Sequence, residues 1–162
     1  MNTGAVVRPG LHGRIVAMLG LLALLASVLV VSAATPARAD GFYCGHAVLG
    51  AIEQRYIQMG GSGGPLGCPL TDELVNPDGF GRRTQFEHGT IYWSPNTGAW
   101  PVWGAIGDWW CSQGCEAGWA GYPTSYEYTV GAEIRQNFHC AVVHFQDLGG
   151  GASRTWGDNI CA

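Results

Sequence analysis

The feature that most constrains the fold of this chain is an internal repeat. Val48-Leu49-Gly50-Ala51-Ile52 returns 54 positions later as Val102-Trp103-Gly104-Ala105-Ile106. The same offset relates six further pairs: Tyr56/Trp110, Gly60/Gly114, Gly64/Gly118, Gly67/Gly121, Pro69/Pro123 and Glu73/Glu127. After a deletion of two residues in the second copy, an offset of 52 relates Arg83/Arg135, Phe86/Phe138, Ile91/Val143 and Trp93/Phe145. Self-similarity at a fixed period predicts stacked copies of one supersecondary unit.

Local signals within each copy predict a helix followed by a β-hairpin. Val48, Ile52 and Tyr56 recur at four-residue steps, as on one face of a helix. Gly60-Gly61 is a helix stop, and the Gly- and Pro-rich turn that follows precedes two apparent strands at residues 83–87 and 90–94. The sequence therefore predicts an α+β domain over residues 40–162. Repeat one spans about 47–100, repeat two about 101–153, and a C-terminal strand remnant 154–162.

The first thirty-nine residues predict a secretory signal peptide. A basic start is followed by an apolar run over residues 15–31 and by the small-x-small ending Ala37-Arg38-Ala39. The alternative is an uncleaved membrane anchor, because seventeen apolar residues are at the short limit for spanning a bilayer. The Ala-Arg-Ala ending and Pro36 before it favour cleavage before Asp40.

The part after residue 39 is acidic. It carries all twelve Asp and Glu residues against five Arg and no Lys, which leaves a net charge of −7 with His neutral. Binding to nucleic acid or to an anionic membrane surface relies on clustered positive charge. The charge therefore argues against both kinds of partner.

All six cysteines lie in the same part, and an even count in an exported chain predicts three disulfides. They are Cys44, Cys68, Cys111, Cys115, Cys140 and Cys161. Six cysteines allow 15 connectivities, and sequence alone does not choose among them. We expect a bond from Cys44 to Cys161, because it would tie down both ends of the domain. The alternative is zinc at Cys140 and His144, but a clean four-ligand spacing is missing. We therefore predict no metal and no other cofactor.

The order helix, turn and hairpin, with Leu66-Gly67-Cys68-Pro69 in the turn, resembles the LGFP repeat of exported actinobacterial proteins. The second copy carries the looser form Ala120-Gly121-Tyr122-Pro123. The resemblance covers residues 47–157. It implies units arranged around a pseudo-symmetry axis and a role at the cell wall, where such repeats often follow a mycoloyltransferase or a wall hydrolase. This chain departs from the family in having about two repeats and in carrying Cys68 at an aromatic position. The disulfides are expected to substitute for the missing neighbours.

Strand alternation divides the side chains of each hairpin between two faces. Ile91, Trp93, Val143 and Phe145 predict the core face, together with Phe86 and Phe138. The opposite face carries an Arg, a side-chain amide and a ring in each copy, namely Arg83, Gln85 and Tyr92, and Arg135, Asn137 and His144. Such groups suit a hydroxyl-rich ligand, since they combine planar donors and acceptors with a ring. The alternative is an ordinary solvated sheet face.

Seven Trp residues follow the signal segment, and most are expected to be structural, because Trp dominates small cores. Trp109 and Trp119 are the candidates for exposed stacking platforms, since aromatic residues are enriched at binding surfaces.

Signals for catalysis are weak. Gly60-Gly61-Ser62-Gly63-Gly64 fits the G-x-S-x-G pattern of a nucleophile elbow, but such an elbow needs a strand before it and a helix after it. Here a predicted helix precedes the segment and Pro65 follows it, which predicts a turn. Glu73 and Glu127 are predicted to accept backbone N–H groups rather than to act as a catalytic pair.

The sequence thus predicts a secreted, non-catalytic module of the cell envelope that binds wall glycan, such as arabinogalactan or peptidoglycan. One alternative is a secreted module or inhibitor that binds another protein, and a third hypothesis is a small wall hydrolase. We expect no nucleic-acid partner, and no membrane association after the signal peptide is removed.

Overall fold

The structure is a computed structural model that describes Met1, Gly4 and residues 41–161. The predicted signal peptide therefore lies, apart from Met1 and Gly4, outside the described residues. Within the described part of the chain, no helix is long and apolar enough to cross a membrane.

Helices and antiparallel strands are both present, which confirms the α+β class. Helices α1 (Gly50–Gln58) and α2 (Gly104–Ser112) are each followed by a 3₁₀ turn, at Gly61–Gly63 and Cys115–Ala117. The strands are β1 (Gly41–Tyr43), β2 (His46–Val48), β3 (Leu74–Val75), β4 (Arg82–Phe86), β5 (Gly89–Ser94), β6 (Gly98–Val102), β7 (Tyr128–Val130), β8 (Glu133–Asn137), β9 (Ala141–Gly149) and β10 (Ala152–Asn159).

Both helices end where the sequence predicts, but the first begins later than its periodicity indicates, because Val48 lies in β2. Ile52 and Tyr56 of α1 are buried, as are Ile106 and Trp110 of α2, so each helix has one apolar stripe. The glycines that follow, Gly60 and Gly114, have φ values of 97° and 105°. Glycine adopts this left-handed conformation without the clash that a Cβ would cause, and the helices stop there.

The strands form a small hairpin and two four-stranded antiparallel sheets. The hairpin is β1–β2, the first sheet has the order β3-β4-β5-β6, and the second has the order β7-β8-β9-β10. The hairpin predicted at residues 83–94 is the centre of the first sheet, because short strands pair with both of its edges.

Apolar side chains join these elements into layers. Ile52 and Tyr56 of α1 pack with Phe86, Ile91 and Ala99 on one face of the first sheet. On the opposite face, Tyr92 packs against Trp110 of α2, whose ring also lies 5.3 Å from that of Phe138 beside the second sheet. The order of layers is therefore α1, first sheet, α2, second sheet.

The predicted core residues are largely confirmed. Phe86, Phe138, Ile91 and Val143 are buried. Trp93 and Phe145 are half-buried and pack against the same two clusters.

Three disulfides are present, as predicted, but the pairing expected between Cys44 and Cys161 is wrong. The bonds are Cys44–Cys68, Cys111–Cys115 and Cys140–Cys161. Cys44 lies in the β1–β2 turn against the first Gly-Pro turn, whereas Cys161 follows β10 and lies beside the β8–β9 turn. Each bond therefore fastens a local turn rather than joining the two ends of the chain.

The Gly-Pro turns connect each helix to its sheet. The hydroxyl of Tyr56 donates to the carbonyl of Gly67 over 2.7 Å, and the indole N–H of Trp110 donates to that of Gly121 over 3.0 Å. Pro69 and Pro123 then form isolated bridges with Phe86 and Phe138.

The residue before the turn proline, Cys68 in the first copy and Tyr122 in the second, is held by a different kind of bond in each copy. Cys68 is bound to Cys44. The hydroxyl of Tyr122 instead donates to Oδ2 of Asp78 over 2.5 Å and accepts from Asn76 Nδ2 over 3.1 Å. In each case the turn is bound to a loop that precedes it in the chain.

Candidate functional site

The eight predicted binding residues lie in three places. One set lines a groove on the first sheet, a second lies on the outer face of the second sheet, and the third is a pair of tryptophans around the end of α2.

The groove, which we call the Arg83 groove, has a volume of about 250 Å³. Strands β4 and β5 form one wall, and the 3₁₀ turn after α2 forms the other. Its lining residues are Pro77, Arg83, Gln85, Tyr92, Gly114, Cys115, Glu116 and Ala117. The structure thus brings Arg83, Gln85 and Tyr92 together, as predicted, and adds Glu116, which the sequence did not indicate.

Polar groups of the Arg83 groove are available to a ligand. Nη1 of Arg83 donates to Oδ1 of Asn76 over 3.0 Å, which orients the guanidinium. The other guanidinium nitrogens of Arg83 and the side-chain amide of Gln85 make no hydrogen bond to the residues that the structure describes. Glu116, which is 8% exposed, adds a carboxylate to the same groove. Donors and acceptors therefore meet in one place.

Tyr92 was predicted to lie on an outer surface, and this is wrong. It is 9% exposed, and its ring meets that of Trp110 edge to face. Strand alternation does turn Tyr92 away from Ile91, but α2 covers that side of the sheet. Burial raises the pKa of the Tyr92 hydroxyl, and the nearby charge of Glu116 adds to the increase. Tyr92 therefore stays neutral over the physiological range where it lines the groove.

The outer face of the second sheet carries Arg135, Asn137 and His144. Strand register aligns Tyr128, Arg135, His144 and Trp156 in one row across four strands. The prediction that His144 is exposed is wrong, since it is 5% exposed. The ring of His144 stacks on that of Trp156 with centroids 4.8 Å apart. The guanidinium of Arg154 lies 4.5 Å from the centroid of the Trp156 ring.

Glu133 organises the charges on this outer face. Its Oε2 accepts from Nε of Arg135 over 2.9 Å and from Nδ1 of His144 over 3.0 Å, and it forms an ion pair with Nη2 of Arg135 at 2.9 Å. The hydrogen bonds from His144 and Arg135 lower the pKa of Glu133. Asp158 Oδ2 lies 3.2 Å from Nε2 of His144, near enough to pair with a protonated ring but not aligned for a hydrogen bond. Most of these charged groups pair with one another, whereas Nε2 of His144 is buried with no hydrogen-bond partner among the described residues.

A metal site at Cys140 and His144 is contradicted by the structure, because Cys140 is bonded to Cys161. Among the described residues, no group of three or more His, Cys, Asp or Glu side chains is arranged to hold a metal ion.

Trp109 and Trp119 form an edge-to-face pair with centroids 6.1 Å apart. Trp119 is 41% exposed, in agreement with the prediction, and its indole N–H donates to Oε1 of Gln113 over 3.4 Å. Trp109 is half-buried against Gly157 of β10, where any side chain would overlap its ring. Trp119 therefore presents an aromatic surface to solvent, and Trp109 supports it.

Two clefts beside the starts of the helices were not predicted. The Glu73 cleft, of about 270 Å³, is lined by Leu49, Gly50, Ala51, Ile52, Glu73, Arg82 and Trp93. The Glu127 cleft, of about 150 Å³, is lined by Trp103, Gly104, Ala105, Ile106, Glu127, Ile134 and Phe145. Each lining residue of one cleft has its repeat partner in the other, and three of the seven pairs differ in residue type: Leu49/Trp103, Arg82/Ile134 and Trp93/Phe145.

The G-x-S-x-G segment forms a turn, as predicted. Ser62 lies in the 3₁₀ turn after α1, and Pro65 follows, so the strand and helix of a nucleophile elbow are replaced by a helix and a proline turn. Two further carboxylates near the turns are bound to backbone N–H groups: Asp72 accepts the amide of Ala47, and Glu87 accepts that of Cys68.

A family comparison bears on the Arg83 groove. The LGFP repeat family model matches residues 66–118, from the Leu66-Gly67-Cys68-Pro69 turn through the first sheet and α2 to the end of the second 3₁₀ turn. Residues 66–118, about a third of the chain, are therefore similar to an LGFP repeat. Every lining residue of the Arg83 groove lies inside the match. The groove therefore belongs to the LGFP stretch itself, whereas the outer face of the second sheet lies beyond it.

The LGFP repeat is a family of repeat modules and not a known family of enzymes, and the match points to an extracellular repeat module. No curated protein matches the chain.

Proposed function

We propose that this protein is a secreted, non-catalytic module of the cell envelope that attaches to wall polysaccharide through the Arg83 groove. The observation that carries the proposal is the convergence, inside the LGFP match, of an oriented guanidinium, a free side-chain amide and a buried carboxylate. Hydroxyl-rich ligands are recognised by planar side chains that donate and accept several hydrogen bonds.

The proposal includes a chain built from two copies of one unit. Equivalent contacts support it: an aromatic donor on each helix holds the carbonyl of the turn glycine, and each turn proline bridges to the equivalent phenylalanine. The groove forms where the sheet of one copy meets the 3₁₀ turn of the next. Two copies are therefore the minimum that forms one groove.

The outermost layers at the two ends of the domain differ in their side chains. The ring of Tyr43 in the β1–β2 hairpin meets Tyr56 edge to face at 5.2 Å, as Tyr92 meets Trp110 at 4.8 Å. At the other end, His144 replaces Tyr92 and is surrounded by charged residues. A polar outer face is typical of the terminal unit of a repeat array. The outer face of the second sheet thus serves as a cap in this proposal.

The charge of the domain favours a neutral polymer. With a net charge of −7 after residue 39, the protein repels anionic ligands at long range. A neutral polysaccharide such as arabinogalactan is therefore the preferred ligand, and peptidoglycan the second.

Co-sedimentation with purified insoluble arabinogalactan, and separately with peptidoglycan, tests the proposal. The variant Arg83→Ala/Gln85→Ala should reduce the retained fraction at least tenfold, because it removes the free donors of the groove. The matched control is Arg135→Ala/Asn137→Ala, which removes the repeat-equivalent pair and should retain wild-type binding.

Each other outcome contradicts a defined part of the proposal. Loss of binding only in the Arg135→Ala/Asn137→Ala control would place the site on the second sheet. A wild-type protein that stays in the supernatant with both polymers would refute glycan binding, and release of soluble sugar would show an enzyme. Equal thermal stability of both variants shows that the comparison concerns binding and not folding.

A further inference from the structure

The Glu73 and Glu127 clefts differ at one position that decides their charge. In the Glu73 cleft, Nε of Arg82 lies 3.9 Å from Oε1 of Glu73. The repeat partner of Arg82 is Ile134, which lines the Glu127 cleft. The first cleft therefore contains its own cation, whereas an apolar side chain takes that place in the second.

The carboxylate of Glu127 lies in apolar surroundings. The cleft around it includes Trp103, Ile106, Ile134 and Phe145. Among the residues that the structure describes, no Arg or His forms an ion pair with Glu127. Burial raises the pKa of Glu127, and a polar contact with the side chain of Trp103 acts in the opposite direction. A cation that enters this cleft would restore the favourable partner that the carboxylate has lost with water.

We propose that the Glu127 cleft binds a protonated primary amine on an unbranched aliphatic stem, as at the end of a lysine side chain of a partner protein. The ammonium pairs with Glu127, and the four-carbon stem packs against Ile134 and Phe145. This inference goes beyond the proposed function, because it assigns a second ligand, of different chemistry, to a different part of the molecule.

The size and position of the cleft agree with this ligand. About 150 Å³ accommodates one such side chain but not a folded segment. The cleft adjoins the start of α2, where the helix dipole disfavours a cation. However, Arg82 is held beside Glu73 at the equivalent start of α1, so the fold tolerates a cation at this position when a carboxylate faces it.

Two-dimensional ¹H–¹⁵N NMR of the purified protein tests the inference through the indole N–H of Trp103, assigned with a Trp103→Phe variant. The probes are N-acetyl-lysine N-methylamide and its norleucine counterpart, which lacks the amine. The lysine probe should shift the Trp103 signal in a saturable manner, and the norleucine probe should bind at least tenfold more weakly.

Three variants make the test specific. Glu127→Gln should weaken binding of the lysine probe at least tenfold, whereas the matched control Glu73→Gln should bind it like the wild type. Ile134→Arg should abolish binding, because it supplies the cation that Arg82 supplies in the other cleft. Equal binding of the two probes, unchanged binding by Glu127→Gln, or no shift with the wild type would each overturn the inference. None of these results depends on glycan binding at the Arg83 groove.

Discussion

Tyr92 of the first sheet meets Trp110 of α2 edge to face, with ring centroids 4.8 Å apart and ring planes 86° apart. This contact places a helix over a sheet face that strand alternation alone assigns to solvent. It turns a flat face into the Arg83 groove, because the 3₁₀ turn after α2 then stands opposite β4.

The contact predicts a large effect of replacing Trp110 on stability. Trp110 is fully buried and touches both Tyr92 and Phe138, so Trp110→Ala should lower the free energy of unfolding by about 3–5 kcal/mol. The control Trp119→Ala, at an exposed indole, should cost less than about 1 kcal/mol. Chemical denaturation measures both. Similar losses for the two variants would contradict the layer order described above.

Tyr122 predicts a loss of stability at high pH. Burial, followed by the hydrogen bond to Asp78, raises the pKa of Tyr122 to about 12. The unfolded chain loses this proton near pH 10, before the folded protein does, so stability falls as pH rises from about 10 to 12. Two pKa units correspond to at most about 2.7 kcal/mol.

The variant Tyr122→Phe isolates this effect. It keeps the ring but has no proton to lose, so its free energy of unfolding should fall less steeply than that of the wild type between pH 10 and 12. The other tyrosines are common to both proteins and cancel in the difference. Parallel pH profiles for the two proteins would contradict the assignment.

The disulfides predict unequal contributions to stability. Cys44–Cys68 closes a loop with a sequence separation of 24, whereas Cys111–Cys115 spans only 4. On a loop-entropy account, replacing the first pair with serines should cost about 3.5 kcal/mol and replacing the second about 2 kcal/mol. Thermal unfolding of the two double variants measures the difference. A larger loss for the Cys111/Cys115 variant would show that the short bridge does more than restrict the unfolded chain.

The lowered pKa of Glu133 predicts that this residue affects how protein stability declines at acid pH. The pKa of Glu133 is lowered in the folded protein by His144 and Arg135, so its stabilising effect is present above the usual glutamate range and is lost as pH falls through the lowered value. Glu133→Gln should therefore make the decline of the melting temperature below about pH 4 less steep. An equally steep decline in Glu133→Gln and the wild type would contradict this role of Glu133.

The sequence correctly predicts which strand side chains face the core in each half of the domain. It does not predict which elements pack over the opposite face of each sheet. Alternation correctly separates Ile91 from Tyr92 and Val143 from His144, because a strand turns successive side chains to opposite faces. It does not say what lies beyond each face, so α2 over Tyr92 and the side-chain cluster around His144 both escaped prediction.

Neither the disulfide pairing nor the two clefts was predicted correctly, and the reasons are related. Pairing depends on which turns come together in space, and spacing along the chain does not determine this. The clefts depend on how the start of each helix lies against its sheet. The sequence shows that Arg82 is replaced by Ile134 in the second copy, but it does not show the cleft that either residue lines.

The most direct test of the central claim is to map the contact surface of a soluble arabinogalactan oligosaccharide by chemical-shift perturbation in NMR. If the oligosaccharide binds in the Arg83 groove, the largest shifts occur at the side-chain N–H groups of Arg83 and Gln85 and at the backbone amides of residues 114–117, which together line the groove. Shifts concentrated instead on Tyr128, Arg135 and Trp156, with the groove unaffected, would contradict it.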